Sequence, residues 1–247
     1  MEEIGKNSIS LILPIYNEEE LVEESLRICL AALENDFDDY EIIVVDDGSK
    51  DNSLAIVKKV QQENPHVKII ENHINLNQGI SIQRALTRCT KDYVLHNGID
   101  LPLNPSELKG LIQIMEDNDV LILERKKYSG ASLWRRFVSK INILLRKVLY
   151  PGLSKGVMDM NFVQIYRREI LPMLLPLAKS PAFTTPEMLY RANYHNLKVI
   201  RKSMDFQARP GGRGSLGRLH DILWTLYDMI RFRYLLWLGL RVHGKAK

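Results

Sequence analysis

The chain has 247 residues, of which 45% are apolar and 26% are charged, so it is long enough to bury a core and too apolar for a disordered polypeptide. Its two cysteines, Cys29 and Cys89, cannot form a disulfide framework and match no spacing of metal ligands, which favours a reduced, cytoplasmic protein. No run of about 18 apolar residues is present, so no transmembrane helix is predicted, and the acidic Glu2 and Glu3 argue against a signal peptide.

Acidic and basic residues are divided unevenly along the chain. Residues 1–124 contain 10 Lys+Arg and 24 Asp+Glu, whereas residues 125–247 contain 24 and 6. Nine basic residues and no acid lie between Arg125 and Met158. Because a solvated helix face usually mixes both signs, the second half is predicted to contact an anionic group, such as a phosphate, a nucleic acid or a lipid surface. A solvated basic face is the simpler alternative.

Strand-like and helix-like segments alternate in the first half. Short β-branched runs followed by turn residues predict strands near residues 8–14, 41–45, 67–70, 93–96 and 120–123. Apolar residues at helical spacing predict helices near residues 21–33, 52–62, 80–89 and 106–115. This alternation is typical of βαβ units. The predicted fold is therefore α/β, with a mostly parallel sheet and a site at the carboxyl ends of the strands.

Amphipathic helices dominate the predictions for the second half. Residues 133–149 carry one apolar stripe with basic residues off it, which predicts a cationic helix that stops at the Pro-Gly pair at 151–152. The segments that follow predict a strand at 162–166, helices at 168–175 and 186–194, a strand at 198–203 and a last amphipathic helix at about 216–240.

Polar loops follow the first two predicted strands. Residues 14–18 (P-I-Y-N-E) follow the first strand, and residues 46–51 (D-D-G-S-K-D) follow the second. We expect the two loops to converge, because the carboxyl ends of parallel strands meet at one edge of a sheet. Carboxylates there can accept hydrogen bonds from ribose hydroxyls and a base N–H, and the glycine allows close backbone approach. A plain turn capped by Asp51 is the alternative.

Three motifs occur in an order that resembles the family 2 glycosyltransferases: P-x-Y-N-E at 14–18, V-V-D-D-G-S-x-D-x-S at 44–53 and N-L-N-Q-G at 75–79. The similarity is strongest to the polyprenyl-phosphate sugar transferases of the dolichyl-phosphate mannosyltransferase type, and it runs from about Ser8 to Gly217. The resemblance implies a GT-A fold, which is a Rossmann-like single domain, here with C-terminal amphipathic helices. It also implies a nucleotide-diphosphate sugar as donor and inversion at the anomeric carbon.

The resemblance also implies a domain organisation and a set of donor-binding residues. Residues 1–215 would form the GT-A domain, with a nucleotide-sugar half at 1–124 and an acceptor half at 125–215, followed by a basic amphipathic helix at 216–247. The donor-binding residues that it implies are Pro14, Tyr16, Glu18, Asp46, Asp47, Gly48, Ser49, Asn75 and Gly79.

The metal motif of the family is incomplete in this chain. Asp100 falls where the family carries its D-x-D motif, but Gly98 takes the place of the first Asp and Pro102 replaces a residue that is often polar. Mg or Mn, the cofactor that the resemblance implies, needs several hard oxygen ligands. With Asp100 as the remaining carboxylate, we expect weak metal use or none.

The basic stretch after residue 124 resembles the family's acceptor segment. In that interpretation Arg125, Arg136 and Ser139 would hold the phosphate of the acceptor, since charged donors suit a phosphate. Asp159 matches a family residue near the reacting centre, with Gln164 in place of the usual Arg.

A glycine-rich basic loop and one further acid complete the predicted catalytic residues. Arg209 and Arg213 resemble the family's loop that closes over the leaving diphosphate. Glu187 follows Thr185 and Pro186, which predicts the first turn of a helix with Thr as N-cap and Pro at N1. Glu187 could there compensate the helix dipole, or, as the family implies, face the acceptor as a catalytic carboxylate.

Together these patterns predict an inverting glycosyltransferase that moves a hexose from a nucleotide-diphosphate sugar to a polyprenyl phosphate at the cytosolic membrane face. Peripheral attachment to an anionic membrane is expected, because the last helix combines an apolar face with a charge balance of +5 over residues 213–247. Packing of that helix on the core or on a partner is the alternative. A sugar-hydroxyl acceptor, which would need Glu187 or Asp159 as base, and a degenerate nucleotide-sugar-binding homologue without turnover also stay open. No nucleic-acid motif is recognised, so no such partner is predicted.

Overall fold

A seven-stranded sheet forms the centre of the computed structural model, which describes residues 8–125, 133–152, 157, 159–204 and 219–238. The strands are β1 (Ser8–Ile15), β2 (Asp39–Asp46), β3 (Val67–Glu71), β4 (Tyr93–His96), β5 (Val120–Arg125), β6 (Gln164–Arg167) and β7 (Val199–Met204). Their order across the sheet is β3-β2-β1-β4-β6-β5-β7.

The predicted mostly parallel sheet is confirmed. β1 pairs in parallel with β2 and β4, β2 pairs in parallel with β3, and β5 pairs in parallel with β7. β6 runs antiparallel to both of its neighbours, β4 and β5. The chain order reverses beside β1, which lies between β2 and β4. In open α/β sheets ligands bind at the carboxyl ends of the strands next to such a reversal.

Helices cover both faces of the sheet. They are α1 (Val22–Asp36), α2 (Ser53–Glu63), α3 (Gln78–Leu86), α4 (Leu108–Gln113), α5 (Leu133–Leu149), α6 (Leu171–Leu174), α7 (Pro181–Tyr194) and α8 (Leu219–Trp237). Short 3₁₀ turns at Pro105–Glu107 and Arg168–Ile170 precede α4 and α6, so these two helices are shorter than predicted. Within the described part of the chain, no helix combines the length and the apolarity needed to cross a bilayer.

The start of α7 corrects a prediction. The helix begins at Pro181 rather than at Pro186, and the Ser180 carbonyl accepts hydrogen bonds from the N–H groups of Phe183 and Thr184, both at 3.2 Å. Either proline can occupy the first turn of a helix, where its missing N–H removes no helical hydrogen bond. Burial of Phe183 in the core explains why the earlier start is adopted. Glu187 therefore lies inside the helix and not in its first turn.

Two apolar layers hold the sheet between the helices. Ile9, Leu11 and Leu13 of β1 point to the face covered by α1, α2 and α4, whereas Ile12 points to the face covered by α3, α7 and α8. This alternation follows from the two-residue period of a strand, and burial on both faces explains the continuous apolar run of β1.

The last helix is packed into this second layer along one side. Phe232 of α8 is buried against the rings of Tyr150 and Phe183, with ring centroids 5.7 and 6.0 Å away. The Tyr150 hydroxyl donates a hydrogen bond to the Met229 carbonyl, which joins the end of α5 to α8. One face of α8 thus belongs to the core, while the opposite face is exposed.

Candidate active site

The loops after β1 and β2 are joined by hydrogen bonds at the carboxyl edge of the sheet. Ser49 Oγ accepts from the Asn17 N–H at 3.0 Å, and Asn17 Oδ1 accepts from the Lys50 N–H at 2.8 Å. Ser53 Oγ accepts from the Glu18 N–H at 2.8 Å. Asn17 has a φ of 55°, a left-handed conformation that asparagine tolerates better than most residues. The two predicted loops therefore converge as one preformed unit.

Asp46 stands at the end of β2, at the base of this unit. Its carboxylate is buried and accepts a hydrogen bond from the Ser49 N–H, at 3.2 Å from Oδ2. Tyr16, on the neighbouring loop, leaves 41% of its surface exposed. This edge of the sheet thus combines a fixed carboxylate with an accessible aromatic ring, a pair that can serve a nucleoside.

Asp47 holds a third loop, the one that follows β3, against the loops after β1 and β2. Its Oδ1 accepts from Asn72 Nδ2 at 2.8 Å and from the Leu76 N–H at 2.9 Å. Gly48, with a φ of +76°, lies so close to this loop that a Cβ there would meet the Ile74 carbonyl carbon at 2.8 Å. Any side chain at position 48 would therefore be strained in conformation and would push the third loop away.

Gly79 at the start of α3 lies against a segment from the second half of the chain. Its N–H donates to the Lys179 carbonyl at 3.2 Å, and a Cβ at this position would meet the Ala178 carbonyl oxygen at 2.6 Å. Asn75 lies in the loop before it. Through this contact residues 177–180 pack directly on the predicted donor half.

Buried carboxylates fix the segment 177–180 from the other side. Glu187 accepts from the N–H groups of Leu177 and Ala178, and Asp228 of α8 accepts from those of Lys179 and Ser180, at distances of 2.8 to 3.1 Å. Four consecutive backbone donors are thus held by two acids, one of them on the last helix. Sequence reasoning did not single out Asp228.

Glu187 is additionally paired with Arg191 one helical turn later. Arg191 Nη2 lies 2.5 Å from Glu187 Oε1, and both side chains are almost completely buried. Burial raises the pKa of Glu187, and the Arg191 charge together with the backbone donors opposes that rise. The carboxylate is thus engaged in holding structure, and its catalytic role stays a prediction.

The predicted metal segment follows β4. Asn97 Nδ2 donates to the Leu103 carbonyl at 2.8 Å, which closes the loop and leaves Asp100 exposed. Asp100 Oδ1 occupies the space beside Gly98, 2.4 Å from the place where a Cβ would stand. Burial raises the pKa of Glu18, and the charges of Asp100 and Asp51 raise it further, so the Glu18 carboxylate feels the charge of Asp100.

The residues of this loop do not by themselves make a metal site. Within the described part of the chain, no group of three or more His, Cys, Asp or Glu side chains is placed to hold a metal ion. Asp100 and Glu18 would leave most of the oxygen ligands of Mg or Mn to come from a bound diphosphate.

Arg125 and Asp159 form an ion pair in the second half. Arg125 Nε lies 2.6 Å from Asp159 Oδ2, and Nη2 lies 3.0 Å from Oδ1. The Arg125 guanidinium also stacks over the Phe162 ring at 5.0 Å. Gln164, which stands where the family usually has Arg, is buried and donates to the Met160 carbonyl at 3.0 Å. The end of β5 is thereby tied to the segment before β6.

The structure describes the other residues predicted to bind phosphate to different extents. Ser139 lies exposed on α5. The backbone of Arg136 belongs to the same helix, but its side chain lies outside the described residues, as do Arg209 and Arg213 altogether. The roles of these arginines stay predictions.

Comparison with known proteins places the chain in a family. Residues 10–174 match the Glycosyl transferase family 2, and the chain belongs to that family. It is 30% identical over 181 residues to the undecaprenyl-phosphate 4-deoxy-4-formamido-L-arabinose transferase of Pseudomonas syringae, a match covering 71% of this chain and 52% of that protein. It is 31% identical over 184 residues to the enzyme of the same name from Photorhabdus laumondii, with 74% and 55% covered. The chain spans about half the length of these curated relatives.

Solved structures confirm the predicted GT-A fold. Glucosyl-3-phosphoglycerate synthase from Mycobacterium tuberculosis in complex with phosphoglyceric acid has a TM-score of 0.67 at 18% identity, covering 91% of this chain and 79% of that one. The same enzyme with Mn²⁺, UDP-glucose and phosphoglyceric acid has a TM-score of 0.66 at 18% identity, with 92% and 80% covered. At this identity the likeness establishes the fold.

Several residues around the site escaped the sequence analysis. Asn72, which positions Asp47, could have been found as a polar residue directly after a strand. Arg146 lies in the segment that resembles the family's acceptor segment, but the motif assigns it no role, and Tyr190 carries no recognisable motif. Both side chains are buried. Helical spacing places Arg146 on one face with Ser139 and Asn142, but only packing shows that this face turns inward.

Proposed function

We propose that the protein transfers a sugar from a nucleotide-diphosphate sugar to a polyprenyl phosphate. The observation that carries this proposal is the two-sided character of α5. Its outer face bears exposed Ile141, Leu144 and Val148, while its opposite face carries exposed Ser139 and buried Arg146. A lipid phosphate requires this combination of apolar surface and cationic donors. The curated relatives described above, which are named as undecaprenyl-phosphate sugar transferases, support it.

The joined loops after β1, β2 and β3 would bind the donor. Asp46 would accept from the nucleoside, with Tyr16 beside it, while Asp47 keeps the third loop in place. Gly48 and Gly79 would shape the cleft by letting the loop after β3 and the segment 177–180 pack closely, and Pro14, Ser49 and Asn75 would line it. Arg209 and Arg213 are proposed to stabilise the leaving diphosphate, which is electrostatic catalysis.

The acceptor half would deliver the nucleophile. Arg125, Arg136 and Ser139 are proposed to hold the acceptor phosphate so that one of its oxygens attacks the anomeric carbon of a hexose in line, with inversion. The sugar–diphosphate bond breaks as the new bond forms, and the electron pair leaves with the nucleoside diphosphate. A phosphate oxygen is already anionic near neutral pH, so no general base is required, and Asp159 would serve to position Arg125.

Metal use is proposed to be weak. A divalent cation, Mg or Mn, would add charge stabilisation at the diphosphate when it is bound. Asp100 and Glu18 are the residues that would contact it, and the diphosphate would have to supply the remaining ligands. The Mn²⁺ complexes of the M. tuberculosis synthase show that a structural neighbour binds this cation.

Attachment to the cytosolic membrane surface is proposed through two neighbouring apolar stripes. Beside the outer face of α5, α8 exposes Leu223, Tyr227, Ile230, Tyr234 and Trp237, and the two helices are in contact. Trp237 is 73% exposed. An apolar stripe with aromatic residues and flanking basic residues suits the headgroup plane of an anionic bilayer.

A transfer assay with matched acceptors tests the proposal. UDP-, GDP- and dTDP-sugars would each be offered with undecaprenyl phosphate in vesicles and, as control, with undecaprenol, which lacks the phosphate. We expect a glycolipid product with one donor and only with the phosphate. Anomeric coupling in the product would show inversion. Transfer to a sugar hydroxyl instead would favour polysaccharide assembly, and donor binding without any transfer would favour an inert homologue.

A further inference from the structure

The inner face of α5 carries a buried cation, Arg146, which forms no ion pair with the residues that the structure describes. Arg146 is only 7% exposed, and its Nε and Nη1 have no hydrogen-bond partner among the residues that the structure describes. Leaving donors of a buried guanidinium unpaired is costly, because the group loses its hydration without replacement. Such a side chain is expected to meet a ligand that supplies the missing acceptors.

A second orphaned donor lies on the facing helix. Tyr190 of α7 is completely buried, and its hydroxyl has no partner among the described residues. Its ring stacks on Tyr150 at 4.6 Å, which fixes the direction of the side chain. The N–H of the same Tyr150 donates to the Arg146 carbonyl at 2.9 Å, which brings Tyr190 next to the end of α5. Burial raises the pKa of Tyr190 to about 12 and the charge of Arg146 opposes that rise, so the hydroxyl keeps its proton at neutral pH.

The local charges favour an anion. Asp159 is a carboxylate whose charge acts on Arg146, and both of its oxygens already accept hydrogen bonds from Arg125. Asp159 therefore pairs directly with Arg125 and not with Arg146. An oxyanion with several acceptor lone pairs satisfies both the charge and the unpaired donors.

The polar residues of α5 indicate the side from which a ligand would reach Arg146. Ser139, Asn142 and Arg146 are spaced by three and four residues, so they lie on one face of α5. Their burial increases in that order, from exposed Ser139 through half-buried Asn142 to buried Arg146. The polar stripe therefore leads inward from the side of the helix where the proposed acceptor phosphate would enter.

We propose that Arg146 and Tyr190 form a buried oxyanion site that receives the phosphate group of the acceptor. Its ligand class is a phosphate monoester on an isoprenoid chain. The identification of the ligand as the acceptor rests on the function proposed above. The proposal that these two residues bind a phosphate group does not depend on that function. Arg146 and Tyr190 would thus be added to Arg125, Arg136 and Ser139 as residues that hold the acceptor phosphate.

Binding of farnesyl phosphate, a short soluble isoprenoid phosphate, tests this site on the full chain. Farnesol, inorganic phosphate and UDP serve as comparison probes, and calorimetry and thermal unfolding as readouts. We expect Arg146→Met to weaken farnesyl phosphate binding at least tenfold and Tyr190→Phe to weaken it severalfold, with UDP binding unchanged. Lys147→Met removes the same charge one residue along, from an exposed position, and should retain binding within about twofold.

Thermal unfolding distinguishes a binding role from a structural one. Without ligand, Arg146→Met should raise the Tm by about 2–4 °C, because it removes an unpaired buried charge, while farnesyl phosphate should no longer raise the Tm of that variant. Arg146→Lys, which keeps the charge but loses the planar donors, should bind with intermediate affinity.

Three results would overturn the proposal. The first is unchanged farnesyl phosphate affinity in Arg146→Met and Arg146→Lys. The second is loss of UDP binding instead, which would assign the site to the donor. The third is binding of inorganic phosphate without binding of farnesyl phosphate, which would contradict an isoprenoid phosphate as the ligand. Failure of sugar transfer with every donor would leave these binding measurements intact, so the two proposals fail separately.

Discussion

Arg125 and Asp159 form a two-point ion pair that joins the end of β5 to the segment before β6, with Nε–Oδ2 and Nη2–Oδ1 distances of 2.6 and 3.0 Å. The two side chains are only 13% and 15% exposed, so the pair is largely shielded from solvent. The family resemblance implies separate roles for them: Arg125 in binding the acceptor phosphate and Asp159 near the reacting centre. Their contact indicates that Asp159 sets the direction of the Arg125 guanidinium.

A double-mutant cycle measures this coupling. Arg125→Met, Asp159→Asn and the double variant should show an interaction of about 1–3 kcal/mol in the free energy of unfolding, because either single change leaves a shielded charge unpaired. The exposed pair Arg27–Glu23 is the control and should couple much more weakly, since solvent screens it. Equal coupling in both pairs would contradict a special role for Asp159.

Asp46→Ala should weaken nucleotide-sugar binding about ten- to hundredfold. Removing the partner of a buried polar contact costs roughly 1–3 kcal/mol, and the Ser49 N–H also loses its acceptor. Calorimetry with a panel of nucleotide sugars checks this, and Asp38→Ala, an exposed acid away from the loops, is the matched control. Unchanged donor affinity would leave Asp46 as a turn residue only.

Gly98→Asp should increase the dependence on Mg or Mn. The new side chain would displace the Asp100 carboxylate from the space beside residue 98 and bring two acids toward Glu18. Mn²⁺ titration with bound nucleoside diphosphate is the measurement, and Gly98→Asn provides the neutral control. Tight Mn²⁺ binding by the natural chain through Asp100 would show that weak metal use was wrongly inferred.

Glu187→Gln should mainly destabilise the fold. The change leaves Arg191 buried without its ionic partner, which typically costs about 3–5 kcal/mol. Urea unfolding gives the stability, and kcat for transfer, measured at a temperature where the variant is folded, gives the catalytic effect. A loss of kcat by several orders of magnitude with little change in stability would instead restore Glu187 as a catalytic carboxylate.

Leu223→Gln with Trp237→Gln should reduce binding to anionic vesicles. Both side chains are more than half exposed on α8, so the pair can be changed without touching the buried Phe232. Flotation at low and high salt is the measurement, because the electrostatic part of the binding is screened by salt. Tyr194→Gln, an exposed aromatic at the end of α7, is the control. Equal flotation of all three proteins would exclude the α8 stripe as the membrane contact.

Deleting the whole of α8 would not be a clean test of membrane binding. Asp228 accepts hydrogen bonds from the backbone of residues 179 and 180, and Phe232 is buried in the core. A truncated chain would lose both contacts, so a loss of vesicle binding could reflect unfolding. Substitutions on the exposed face avoid this problem.

The sequence by itself determined that the sheet is mostly parallel and where the loops proposed to bind the donor lie. Strands such as β1 are buried on both faces and are therefore continuous apolar runs, and the polar residues after them must gather at one edge because parallel strands end together. Asp46 and Asp47 could be placed at that edge without knowing any contact. The local pattern of strand and turn carries this information directly.

Tertiary packing decided what the local pattern left open. The prolines at 181 and 186 both fit the start of a helix, and only burial of Phe183 selects the first. Helical spacing puts Arg146 on one face with Ser139, but only tertiary packing decides that Arg146 is buried there. Asp228 lies more than a hundred residues from the loops after β1 and β2, yet it holds the segment on which Gly79 packs. Contacts between distant segments depend on how the faces of helices meet, and no single segment of sequence encodes that.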